Sequence, residues 1–372
     1  MTKIDLETRT AELLHHFGRT LQPGDSVTPP IFPTAVFHLP GDPSTARYHY
    51  GRYHNPTWAA LEDALAVLEG AECIAFPSGM AAVAAILITQ ARSGDRILIP
   101  ADGYFTTRVL AEKFLGPLGV KVETRPTTRL LEGSFDGYRL VIAETPSNPG
   151  LEVCDIAAVS ARAKQAGALF VVDNTTMTPL GQRPLELGAD AVINSDTKAI
   201  NGHSDALMGH VATRNAALME HLRDWRKYSG SIPGPFECWQ VFRGLETLEV
   251  RFGRMCSSAS EIAGRLAEHP AVQSVRYPGL PTDPSHGIAK RQMSCYGSML
   301  NLTLKDAVSA ERFINECKLI QPSTSFGGVR TCAERRERWG DAVDPGFVRL
   351  SIGIEPLEPL WSAISATLNS FN

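Results

Sequence analysis

The chain of 372 residues has 36 basic and 40 acidic side chains, a formal net charge of -4 and 43% hydrophobic residues. Its length exceeds a single small core and suggests two domains, or one large domain with a smaller appendage. The nearly balanced charge excludes the broad basic field of a polyanion binder, so nucleic acid is not an expected partner.

The segment Met1–Glu7 carries acidic residues early, with no cationic flank ahead of an apolar run, so no secretory signal is expected. No apolar run is long enough to span a bilayer, and a cytoplasmic protein without a membrane partner is expected. Residues 1–56, rich in proline and without clear periodicity, predict an extended arm. From 57 to 235 short apolar runs alternate with helical patterns, the signature of strand–helix units around a mostly parallel sheet. Strands are predicted at Cys73–Phe76, Arg96–Ile99, Val120–Glu123, Leu140–Glu144, Leu169–Asp173, Ala191–Ser195 and His210–Thr213. Helical stretches lie between them, such as Trp58–Glu69, which Gly70 should stop. A long amphipathic stretch over Glu237–His269 opens a smaller C-terminal α/β domain, placed at 236–372, with strands at Met299–Leu304 and Phe347–Ile354. The seven cysteines are scattered, odd in number and form no Cys-x-x-Cys, which predicts neither a disulfide framework nor a metal site.

Ligands of open parallel sheets bind beyond the carboxyl ends of the strands, and several of those ends carry polar chemistry here. Lys198 lies in Ser195-Asp196-Thr197-Lys198, just past an apolar run and ahead of Gly202. A desolvated lysine has a lowered pKa and can condense with an aldehyde cofactor. Ser195 and Thr197 could hydrogen-bond a phosphate beside it. Asp173 closes the strand Leu169–Asp173 and could hold a pyridine nitrogen protonated, which makes the ring an electron sink. Taken singly, Lys198 also fits an ordinary loop lysine and Asp173 a cap or turn. Ser78-Gly79-Met80 sits between a strand and a small-residue helix, so the amides of Gly79 and Met80 would face an anion. Without Gly-x-Gly-x-x-Gly or Gly-x4-Gly-Lys, that anion reads as a small cofactor phosphate rather than a nucleotide.

These residues resemble the Cys/Met-metabolism family of pyridoxal-phosphate (PLP) enzymes, the cystathionine lyases and synthases and their relatives. The motifs run through nearly the whole chain: Tyr50-Gly51-Arg52-Tyr53-His54-Asn55-Pro56-Thr57, Glu144-Thr145-Pro146-Ser147-Asn148-Pro149, Val172-Asp173-Asn174-Thr175, and Ser195-Asp196-Thr197-Lys198 followed by Gly202-His203-Ser204-Asp205. The resemblance implies a fold type I PLP-dependent transferase with pyridoxal 5'-phosphate bound at Lys198. Tyr50 and Arg52 would grip the phosphate in a neighbouring subunit's site, within a homotetramer that shares active sites. It also implies that Tyr104 stacks on the cofactor ring and handles a proton at the leaving group. A phenol near pKa 10 needs nearby cations for that work, and Arg52 from the partner could supply one. Arg349, in Phe347–Glu355, and Asn148 would hold the substrate carboxylate, a task suited to a planar bidentate donor. Ser325 matches a serine close to the lysine. The implied activity is γ-elimination from an amino acid with a Cγ leaving group, as in cystathionine γ-lyase, releasing a 2-oxo acid and ammonia. Cystathionine β-elimination, γ-replacement on O-acyl-homoserine, canavanine γ-elimination and a non-catalytic cofactor-binding protein are the alternatives. Ala199, Thr324 and Arg330 depart from the family pattern and bear on the leaving group. The charged run Cys332–Trp339 reads as a solvated face beside the entrance.

Overall fold

The computed structural model describes Ala11 and residues 22–371. Residues 1–10 and 12–21, which include the segment read for a signal and much of the expected arm, lie outside the described residues. Seven strands, β1 (Glu72–Phe76), β2 (Arg96–Pro100), β3 (Lys121–Arg125), β4 (Tyr138–Glu144), β5 (Leu169–Asp173), β6 (Ala191–Asn194) and β7 (Gly209–Thr213), form one sheet. Their order is β1-β7-β6-β5-β4-β2-β3. Strands β3, β2, β4, β5 and β6 run parallel, and only β7 pairs antiparallel, with β6 and β1. The expected mostly parallel α/β architecture is therefore present.

Continuous apolar runs such as Leu140–Ala143 form strands here because helices cover both faces of the sheet. Ile86, Leu140, Val171, Val211 and Leu222 pack on one face, and Val141, Phe170, Ile156 and Val159 on the other. Burying one such side chain contributes about 2 kcal/mol relative to leaving it exposed. The first long helix, Pro56–Glu69, starts where the Asn55 side chain accepts the Thr57 N–H at 2.8 Å. It stops at Gly70, whose left-handed φ of 65° suits a residue without Cβ.

A second sheet of β8 (Ser274–Arg276), β9 (Met299–Thr303), β10 (Gln321–Pro322), β11 (Cys332–Arg335) and β12 (Phe347–Ser351) has the order β10-β11-β12-β9-β8. Leu300, Leu302, Phe313, Val348, Leu350 and Ile364 form its core. The amphipathic stretch Glu237–His269 is two helices, Pro235–Leu245 and Leu248–Ala267, interrupted where Thr247 leaves helical backbone at φ -116° and ψ 9°. Among the described residues no helix is long and apolar enough to cross a membrane.

Candidate active site

One cavity of about 360 Å³ opens at the carboxyl ends of the parallel strands. Its walls include Ser78, Gly79 and Met80 after β1, Glu144 and Asn148 from β4 and its turn, Asp173 at the end of β5, and Ser195, Thr197 and Lys198 after β6. Tyr104 enters from the turn after β2, while Thr324, Ser325, Phe326, Arg336 and Arg349 enter from the region of the second sheet. Sequence-predicted residues separated by more than two hundred positions thus share one wall.

The lysine is held by few contacts. Lys198 Nζ donates to Ser325 Oγ at 2.8 Å and lies 5.2 Å from the Phe326 ring. Burial, and then the Arg349 charge, lower its pKa from 10.5 to about 8, so about a tenth of the amine is neutral at about pH 7. Ser325 adopts φ 80°, a left-handed backbone unusual for a residue with a side chain. That conformation lets its hydroxyl meet Lys198 while its carbonyl accepts from Arg349 Nη2 at 2.8 Å.

Arg349 is 3% exposed and sits on β12 directly opposite Glu334 of β11. Its Nη1 donates to Asn148 Oδ1 at 2.7 Å and its Nη2 to Glu334 Oε2 at 2.9 Å. Nε and one N–H of Nη1 are left for a carboxylate in the cavity. Burial lowers the Arg349 pKa to about 10, which keeps the guanidinium charged at neutral pH.

Glu144 organises the other side. Its Oε2 accepts the Tyr104 N–H at 2.6 Å and its Oε1 the Asn148 N–H at 2.8 Å. Burial, then the neighbouring Asp173, push its pKa well above the carboxylate range, against the pull of those two N–H groups. The sequence placed Glu144 in a motif but gave it no role; its position four residues before Asn148 was the available signal.

The residues fit an aromatic aldehyde that carries a phosphate. Asp173 Oδ1 accepts the Thr175 N–H at 3.0 Å and hydroxyl at 2.5 Å, leaving Oδ2 for a donor in the cavity. Burial raises the Asp173 pKa, with Thr175 and Lys198 opposing, so a cationic ring nitrogen would restore the carboxylate. At the phosphate end the walls leave no room for side chains. A Cβ on Gly79 would lie 2.6 Å from Ser195 Cβ, and one on Gly209 would lie 2.6 Å from Gly79 Cα. The helix Gly79–Gln90 begins there, capped by Ser78 Oγ on the Ala81 N–H at 3.1 Å. Its first amides, with Ser195, face the same corner. Thr197 lines that corner too, but its hydroxyl donates to Met208 O at 3.1 Å and accepts the Met208 N–H at 3.0 Å, so its hydrogen is already engaged.

Tyr50 and Arg52 do not line the cavity. Arg52 Nη1 donates to Lys227 O at 2.5 Å and its guanidinium covers the Tyr53 ring, while Tyr50 is 41% exposed. Of the three departures, Thr324 lines the cavity, Ala199 is buried behind Lys198, and Arg330 is elsewhere. The expected solvated face at Cys332–Trp339 holds only for Glu337, Arg338 and Trp339, which are exposed, and is corrected for the first part of the run. Cys332, Ala333, Glu334 and Arg336 are buried, because β11 is an inner strand and its register puts Glu334 across from Arg349. Among the described residues no group of three or more His, Cys, Asp or Glu could hold a metal.

The Cys/Met metabolism PLP-dependent enzyme family matches residues 11–369. A Streptomyces coelicolor protein provisionally named cystathionine gamma-lyase is 48% identical, over 89% of this chain and 86% of its own. The L-methionine gamma-lyase of Pseudomonas deceptionensis is 37% identical over 96% of each chain. The crystal structure of metB from Corynebacterium glutamicum superposes with a TM-score of 0.93 at 34% identity, covering 99% of this chain and 98% of its own. With that agreement in sequence and fold, the chain belongs to the PLP-dependent Cys/Met metabolism family.

Proposed function

We propose that the protein is a carbon–heteroatom lyase that performs γ-elimination on an amino acid with a leaving group at Cγ, releasing a 2-oxo acid and ammonia. One observation carries the reading: a lysine with a pKa of about 8, held through one serine to the arginine that is free to take a carboxylate. Bound at Lys198, pyridoxal phosphate supplies an aldehyde that condenses with amines and a ring that takes up the electron pair left by the α-proton. Asp173 Oδ2 would hold the ring nitrogen, and Gly79, Met80 and Ser195 would hold the phosphate, with Thr197 closing that wall. Arg349 and Asn148 fix the substrate carboxylate, which orients the α C–H bond toward Lys198 Nζ. The lysine amine takes that proton, and its long side chain lets it reach the neighbouring Cβ as well. A base that serves both carbons is what γ-elimination requires. The phenol of Tyr104, whose backbone is pinned by Glu144, would attend the departing group.

The arm 1–56, a cofactor domain 57–235 and a C-terminal domain 236–372 are the units we infer. In a homotetramer built as a dimer of dimers, Tyr50 and Arg52 would complete the neighbour's phosphate site. Mixed Lys198→Ala and Arg52→Ala subunits should regain activity that neither variant has alone, and no recovery would refute the sharing. For the reaction, cystathionine should yield cysteine and 2-oxobutanoate. Homocysteine with pyruvate would instead mark β-elimination. A new thioether from O-acyl-homoserine and a thiol, without oxo acid, would mark γ-replacement. The relatives' names span these outcomes, including cystathionine beta-lyase from Coxiella burnetii and cystathionine gamma synthase from Xanthomonas oryzae. Borohydride treatment of the loaded protein should fix the cofactor on the peptide that carries Lys198.

A further inference from the structure

A second guanidinium stands in the wall of the cavity. Arg336 follows β11, its side chain is 7% exposed, and it lines the same space as Tyr104, Leu207, Thr324 and Arg349. Two carboxylates aim it. Its Nε donates to Asp341 Oδ2 at 2.7 Å, its Nη2 lies 2.7 Å from the same oxygen, and its Nη1 donates to Glu334 Oε2 at 3.0 Å. A guanidinium has five N–H groups, so one on Nη1 and one on Nη2 stay available. Glu334 Oε2 also accepts from Arg349 at 2.9 Å, so the two arginines flank a single carboxylate oxygen.

Taking a guanidinium out of water is costly even when it is paired, and an apolar residue would close this wall without that cost. A substrate with one carboxylate needs only Arg349. Two arginines at one rim, each with free N–H groups, suit a ligand with two carboxylates.

We propose that Arg336 binds a second carboxylate, carried by the leaving group beyond Cγ, and so selects substrates with a distal carboxylate over those ending in an uncharged group. This rests on the γ-elimination reading and names the substrate class within it. Two chemistries supply such a group: a thioether whose leaving half is itself an amino acid, and a dicarboxylic ester of homoserine.

The test compares kcat/KM for cystathionine, O-succinyl-homoserine and methionine in the wild type, Arg336→Lys and Arg336→Met. Methionine is the reference because its leaving group has no carboxylate. Loss of charge-assisted hydrogen bonds should lower the ratio of each distal-carboxylate substrate to methionine by about 10- to 100-fold in Arg336→Met, with partial recovery in Arg336→Lys. If only one of the two ratios falls, that substrate identifies the source of the carboxylate. A second readout needs no turnover: calorimetric binding of glutarate against butyrate to the loaded protein, where Arg336→Met should abolish the wild-type preference for glutarate. Equal losses on all three substrates would overturn the proposal, because Arg336 would then act only by holding Glu334 and Arg349. Unchanged ratios would overturn it as well. Should Arg336→Met not fold, the wild-type and Arg336→Lys ratios and glutarate preference decide alone. Pyruvate as the product from cystathionine would refute γ-elimination while leaving those ratios and the glutarate preference to be judged separately.

Discussion

The state of the Lys198 amine can be tested before any substrate is added. Burial lowers its pKa from 10.5 to about 8, with the Arg349 charge as the next cause. At about pH 7 the neutral fraction would then be about one in ten, against about one in 3,000 for an unperturbed lysine, a ratio of about 300. The assay is competitive labelling of the cofactor-free protein with a trace amine-reactive reagent between pH 6 and 11, followed by peptide mass spectrometry. Lys198 labelling should reach half its plateau near pH 8, two or more units below a free lysine-containing peptide added as a standard. Arg349→Gln should move the Lys198 midpoint upward by only part of the shift, because burial is the larger cause and remains. The reasoning fails if Lys198 titrates with the standard peptide, or if Arg349→Gln alone restores the ordinary value.

Two further outcomes follow from contacts near the same loop. Gly79→Ala places a Cβ 2.6 Å from Ser195 Cβ, a clash that must move one wall of the phosphate corner. Overpacking of this kind costs about 1–3 kcal/mol, so the dissociation constant for pyridoxal phosphate, read by fluorescence, should rise about 10- to 100-fold; unchanged affinity would exclude the corner. His210 is fully buried, with Nδ1 2.7 Å from Asp196 Oδ1 and Nε2 3.3 Å from Glu69 Oε1. Burial lowers its pKa, but Asp196 and then Glu69 outweigh it and raise the value to about 10. Because the folded value lies above the unfolded 6.5, this contribution is fully present below about pH 6.5 and is lost as pH rises through about 10. His210→Leu should therefore cost on the order of 3 kcal/mol near neutral pH in urea unfolding, a deficit that shrinks as pH rises from about 6.5 to about 10. A deficit independent of pH would show that His210 is neutral.

Local pattern was sufficient for much of this molecule. The apolar runs of β2, β4, β5 and β6 and the capped helix Pro56–Glu69 are local features, and each strand end carried its polar residue into the cavity. Ser325 and Arg349 were found through motif resemblance rather than spacing. What escaped was set by pairing across the chain. Nothing near Glu334 indicates that it lies opposite Arg349, since that register depends on how β11 and β12 meet across an intervening loop. The run of charges around it looked solvated for the same reason. The bonds of the Thr197 hydroxyl to Met208 are likewise set by pairing, since they form where β7 folds back beside β6.

Five hydrogen bonds of the cavity link Tyr104 to Lys198. Tyr104 donates its N–H to Glu144, which accepts from Asn148; Asn148 accepts from Arg349, Arg349 donates to the Ser325 carbonyl, and the Ser325 hydroxyl accepts from Lys198. The residues proposed for the leaving group, the carboxylate and the α-proton are thereby tied to one another through fixed backbone groups, including the constrained backbone of Ser325. Such a path fixes where the reacting carbons lie but says little about what is attached beyond Cγ, since none of its members needs to touch that group except Tyr104. Selection of the leaving group must therefore rest on wall residues off the path. Leu207, Thr324 and Arg336 are such residues, and Arg336 is the one with a charge. The motifs that make the family legible lie on the path, whereas the choice of substrate proposed above falls to Arg336 and its neighbours off it.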